Sequence, residues 1–253
     1  MPTGDFKSSR ARAPASAARF TNTHWSIVWS ATDRRNPSQA KEALEKLCRV
    51  YWPPLYAFVR HQGENPHDAQ DLTQSFFERL LEKDYLQSVN REKGRFRSFL
   101  LASLKHFLSN ERDKARAQKR GGGHVTIPLD FQSAETHYTV ELVEQLTPEI
   151  IFERRWAMAL LDQTMMRLRE DYTVRGKGVL FDVLKGTLTE ARGSIPYSAL
   201  TIRLGLSEAA VKMAVHRLRQ RYREVLRAEV AETVASPGEV DDELRQVLRV
   251  LSG

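Results

Sequence analysis

Residues 197–222 run YSALTIRLGLSEAAVKMAVHRLRQRY, and the reading of this stretch decides the fold. A helix through Leu200–Leu204 is interrupted at Gly205, a residue free to take the positive φ that a sharp interhelical turn needs. Ser207 is then a good N-cap, because its hydroxyl can accept a hydrogen bond from a free first-turn N–H. Beyond it, Val211, Val215, Leu218, Tyr222 and Val225 recur at steps of four, three, four and three, the spacing of one helix face. That stripe is expected to pack on the preceding helix. It leaves Ser207, Glu208, Ala209, Lys212, Met213, His216, Arg217 and Arg219 for another surface. The same charges would also suit a plain solvated helix, but turn, cap, stripe and charge agree on a helix-turn-helix. In that motif the second helix enters the major groove of DNA, and its first residues meet base edges. Small Ala209 and Ala210 admit close approach, while the lysine and arginines farther along suit phosphates.

Working outward, the chain has 253 residues, 41% of them hydrophobic and 9% aromatic, enough to build packed cores. Its net charge of +7 leans toward a polyanionic partner. The distribution says more than the total. Residues 91–124 hold ten Lys or Arg against three acids, a net of +7. Residues 203–227 hold seven against two, a net of +5, and between these stretches residues 125–153 carry six acids and no Lys or Arg. Two basic lobes joined by an acidic, flexible tether is the expected organisation. A single cysteine, Cys48, excludes an internal disulfide framework and fits a reducing, cytoplasmic compartment. No apolar run reaches membrane-span length, so no membrane partner is expected. The first 21 residues lack the apolar segment of a secretory signal and are expected to be a disordered basic lead, with an organellar transit peptide as the alternative. The seven histidines lie far apart without cysteine companions, and Gly121–Gly123 is followed by no phosphate-binding lysine. No metal site, cofactor or catalytic arrangement is therefore expected, nor an enzyme.

Period and punctuation predict an all-α chain. Residues 22–120 form a first helical domain. Its helices are carried by ATDRRNPSQAKEALEKLCRVYW, which Pro53-Pro54 should break, by DAQDLTQSFFERLLEK with Leu72, Phe76 (with Phe77), Leu80 and Leu81 on one face, and by FRSFLLASLKHFLSNERDKARAQKR. A linker is expected over 121–153, and a helix-turn-helix domain over 154–232, opening with Trp156, Leu160, Leu161, Thr164 and Leu168 on one side. In the extension 233–253, Val240, Leu244, Val247, Leu248 and Leu251 form a stripe expected to cover the protein's own surface rather than a partner.

DAQDLTQSFFERLLEK followed by GRFRSFLLASLKHFLSNERDKARAQKR resembles region two of bacterial RNA polymerase sigma factors. With the carboxyl-terminal helix-turn-helix as region four, the chain resembles the two-domain extracytoplasmic-function type over about residues 40–120 and 155–230. That resemblance implies a protein that binds core RNA polymerase, recognises promoter DNA and promotes its melting. Asp68, Asp71, Gln74, Phe77, Glu78 and Leu81 would dock on the clamp helices of the largest polymerase subunit. The loop DYLQSVNREKGRFRSF would capture a flipped base of the minus-ten element. Arg95, Arg97, Lys105, His106, Asn110, Arg112, Lys114, Arg116, Lys119 and Arg120 would follow the displaced strand. The helix from Ser207 to Arg219 would take the minus-thirty-five element. An anti-sigma protein is a further partner that the resemblance admits. The sequence departs from the common pattern at His106 and Asn110, where many members carry Asn and Asp, and at Thr201, where alanine is common. Two rival expectations stand beside this one: a helix-turn-helix regulator acting without polymerase, and a sigma-like interaction protein that has lost promoter binding.

Overall fold

The computed structural model describes residues 35–81, 95–117, 146–190, 194–234 and 236–252. Among these residues all regular structure is helical: α1 (Pro37–His61), α2 (Pro66–Leu80), α3 (Phe96–Ala117), α4 (Pro148–Val174), α5 (Gly178–Leu184), α6 (Gly186–Thr189), α7 (Tyr197–Leu204), α8 (Glu208–Thr233), a 3-10 turn (Pro237–Glu239) and α9 (Val240–Ser252). None of the described helices is long and apolar enough to cross a membrane.

Local chemistry sets the starts of several helices. Asn36-Pro37, Asn65-Pro66 and Thr147-Pro148 each place a side-chain acceptor at the N-cap and a proline in the first turn, where a missing N–H costs nothing. Asn65 accepts from the Asp68 N–H at 2.9 Å, for example. Pro53 and Pro54 do not break α1, contrary to expectation; the helix runs through both. Tyr51, Trp52, Leu55, Tyr56, Phe58 and Val59 on either side of them are all buried, and their burial outweighs the lost backbone bonds.

Those side chains centre the first core. Leu47, Tyr51, Leu55 and Phe58 of α1 meet Phe76 and Leu80 of α2, Phe96, Leu100 and Leu104 of α3, and Phe152, Trp156 and Leu160 of α4. Val230 and Val234, at the end of α8, and Val240 and Val247 of α9 complete it. Aromatic pairs lock its geometry, with Tyr51 edge-on to Phe96 at 5.1 Å and Trp52 stacked on Phe77 at 5.7 Å. A second core joins Leu168 of α4, Phe181 and Leu184 of α5, Leu200 of α7, and Val211, Val215, Leu218 and Val225 of α8.

Helices α4 and α8 thus thread both cores. The linker expected to reach residue 153 ends earlier, since α4 starts at Pro148 and buries Ile151 and Phe152. The boundary expected at 153/154 instead falls inside a helix whose first half belongs with α1. Ion pairs reinforce the join: Lys46 of α1 reaches Glu232 of α8 at 2.5 Å, and Arg167 of α4 donates to the buried Glu229 of α8. That bond holds the Arg167 guanidinium above its ordinary pKa. The carboxyl-terminal stripe differs at one place. Val240 and Val247 are buried and Leu244 and Leu251 partly so, but Leu248 is 63% exposed. The basic lead and most of the acidic tether lie outside the described residues.

Candidate nucleic-acid interface

The helix-turn-helix is built as its sequence dictates. Gly205 ends α7 at φ 63°, in the left-handed region, and bonds through its N–H to the Thr201 carbonyl. Ser207 caps α8, its Oγ accepting from the Ala210 N–H at 3.3 Å. Val211, Val215, Leu218 and Val225 are buried and Tyr222 is partly so, which turns the other side of α8 outward. On that side Ser207, Glu208, Ala209, Lys212, Met213, His216 and Arg217 are all exposed. Glu208 and Lys212 pair across one turn at 2.7 Å, and this bond raises the Lys212 pKa. The ammonium also lies 5.8 Å from the Tyr197 ring of α7, so it is oriented from both helices of the motif.

Arg219 does not join this face. Its Nη2 donates to the Thr187 carbonyl at 3.0 Å and holds the α6 turn against α8. Farther on, Arg221 donates to Asp171 at 2.7 Å and 2.5 Å, and Arg227 reaches Asp241 of α9 at 2.5 Å. Three arginines of the most basic segment are therefore engaged within the protein, Arg219 and Arg221 in part-buried bonds and Arg227 in an exposed surface pair. Gln220 and Arg223 continue the exposed face and were not among the expected contacts, although their helical spacing from His216 and Arg217 points to them.

On α3, Lys105, His106, Asn110, Arg112 and Lys114 are exposed. Lys105 pairs with Glu149 at 2.6 Å, which lowers that carboxyl's pKa, and lies 5.8 Å from the Phe58 ring. Arg112 lies 3.8 Å from Glu64, and Lys114 pairs with Glu111 at 2.7 Å. Lys105 and Arg112 line one groove of about 360 Å³ with Phe58, Gln62, Leu108, Ser109 and Asp113. Its wall is mostly polar, with two cations set beside the Asp113 carboxylate and with Phe58 and Leu108 buried beneath. Arg116 falls in the last turn of α3, whereas Lys119, Arg120 and most of the expected base-capturing loop lie outside the described residues.

Arg97 is the clearest departure. Only 3% of its side chain is exposed. It donates through Nε to Glu153 at 2.8 Å, pairs through Nη1 with Glu243 of α9, and stacks 4.3 Å from the Trp156 ring. Burial lowers its pKa while Glu153 opposes the shift. Arg95 reaches the same Glu243 at 2.9 Å. Arg97 is not presented to a strand in this arrangement, because Glu153, Trp156 and Glu243 close over it, whereas Arg95 keeps a third of its side chain exposed.

The acidic helix α2 divides similarly. Asp68 and Glu78 are exposed, and Asp71 and Leu81 are half-buried at the surface. Gln74 and Phe77 are not surface contacts: Gln74 is buried and donates to Glu78 at 3.1 Å, and Phe77 is buried against Trp52. Adjacent Phe76 and Phe77 both lie on the buried side of this helix, so Phe77 is inward rather than on the docking face where it was expected. Compared with protein-family models, curated proteins and solved structures, the chain matches none.

Proposed function

We propose that this chain acts as a sigma factor of bacterial RNA polymerase of the extracytoplasmic-function type. The observation that carries the reading is the exposed face Ser207–Arg217 of a capped helix whose opposite stripe is packed into its own domain. In this reading that face enters the major groove at the minus-thirty-five element, with Glu208, Ala209, Lys212 and Met213 nearest the bases. The α3 cations Lys105, Arg112 and Lys114, with His106 and Asn110, receive the melted minus-ten strand, where phosphate contacts and stacking repay the few kcal/mol of unstacking. Asp68, Asp71, Glu78 and Leu81 on α2 meet the polymerase. The chain supplies binding energy and leaves covalent chemistry to the polymerase; it needs no metal or cofactor of its own. An anti-sigma protein would be a natural regulator.

A second reading, a helix-turn-helix regulator working without polymerase, is favoured by the two helices that thread both cores, since they hold the lobes together. Run-off transcription with core polymerase on a promoter library separates the two. RNA above that of core enzyme alone is the expected result. No promoter-dependent RNA and no retention of core polymerase, with duplex binding intact, refutes the sigma reading in favour of the regulator.

A further inference from the structure

Two arginines at the start of α3 meet α9, Arg97 buried beneath it and Arg95 at its edge with a third of its side chain exposed. Glu243 of α9 is fully buried, and its carboxylate lies between Arg97 and Arg95. A carboxylate ion-paired with two guanidinium groups, with no directed hydrogen bond holding either of its oxygens, occupies the position a backbone phosphate would take beside the same pair. Its surroundings on α9 are acidic as well, with Glu239, Asp241 and Asp242 in the preceding turn and at its start.

The way α9 is attached suits a displaceable element. Its apolar side rests on the first core through Val240 and Val247, while its other face is solvated, with Leu248, Arg245 and Arg249 exposed. Only the 3-10 turn Pro237–Glu239 and a few flanking residues connect it to α8. A surface ion pair, Arg227–Asp241, pins its start. Were α9 to lift, Arg97 would keep Glu153 and Trp156, so the core would retain a counter-charge, and Arg95 would lose its carboxylate.

We propose that α9 is an intramolecular cap that competes with a nucleic-acid strand for the Arg95/Arg97 end of α3, with Glu243 holding the place of a strand phosphate. One guanidinium pair cannot serve both, so strand binding and α9 docking exclude one another. The inference rests on the reading of α3 as a strand-binding helix. It adds that the chain's own α9 sets how readily that helix is engaged.

The test uses the full-length chain and a fluorescein-labelled single-stranded DNA oligonucleotide followed by anisotropy. Glu243→Gln keeps the side chain's shape and removes its charge. Asp242→Asn removes the same charge from the exposed side of the same helix and reports the general electrostatic effect. E243Q is expected to bind at least about fivefold tighter than D242N, the lower end of ordinary coupling between sites. Equal affinities of the two variants overturn the cap while leaving strand binding intact. No strand binding by any of the three proteins overturns the reading of α3 and the cap with it. Hydrogen exchange on the unaltered chain gives an answer even if E243Q folds poorly. By reciprocity the strand must raise exchange in the α9 amides, and unchanged or increased protection overturns the proposal.

Discussion

Arg97 illustrates how a residue's meaning depends on what folds over it. By sequence it belongs to a basic run; in the fold it is a buried charge with two carboxylates and an indole around it. Removing one member of such a cluster leaves the others uncompensated. Arg97→Ala should therefore cost about 3–5 kcal/mol in urea unfolding. A loss under about 1 kcal/mol would mean that the cluster is open to water. Cys48 and Tyr51 yield a second expectation of this kind. Burial pushes the Cys48 thiol from its ordinary 9.0 up to about 11 and moves Tyr51 upward from 10.0 as well. The unfolded chain therefore releases these protons first. Stability is full below pH 9 and falls as the pH climbs toward 11, by roughly 2–3 kcal/mol for the thiol alone. Urea midpoints compared on either side of that window check it, and Cys48→Ala should remove the thiol's share of the slope.

At the scale of elements, α8 sorts its cations into two sets. Lys212, Arg217 and Arg223 face solvent, while Arg219, Arg221 and Arg227 hold Thr187, Asp171 and Asp241. Arg217→Gln should weaken binding to promoter duplex at all sequences and reduce the salt slope by about one unit, without changing the melting temperature. Arg219→Gln should do the reverse: little change in slope, and stability lower by about 1–3 kcal/mol as the Thr187 carbonyl loses its charged donor. Titrations at several salt concentrations, paired with thermal melts, distinguish these outcomes. Much of this element was legible in the sequence, because a Gly turn, a Ser cap and a periodic stripe are determined within a few residues of one another. The division of the arginines was not, since Thr187 and Asp171 come near α8 only through tertiary packing. Continuity of α1 through Pro53-Pro54 escaped for the same reason: the aromatic residues that enforce it are held by α2, α3 and α4. Gln74 and Phe77 were misplaced because a helix bearing adjacent phenylalanines has two inward directions.

For the whole molecule, charge blocks and a triple glycine suggested two lobes on a tether, and the helical class followed directly from periodicity. The sharing of α4 and α8 between cores could not be read locally, because each half of those helices is amphipathic by itself. This sharing has a thermodynamic signature. Calorimetry should show one unfolding transition with equal calorimetric and van't Hoff enthalpies, whereas lobes joined only by a tether would melt in two.

The first core also places early-made and late-made residues side by side. Leu47 and Tyr51 share it with Val240 and Val247, and Lys46 grips Glu232 across 186 positions of sequence. During synthesis the aromatic cluster on α1 must therefore wait, incompletely roofed, until α9 has been made. Contacts so distant along the chain pay their loop-closure entropy before they return any stabilisation, and they slow folding. A nascent chain of this protein thus exposes its stickiest surface throughout the synthesis of the residues between α1 and α9, and α9 completes that surface's cover.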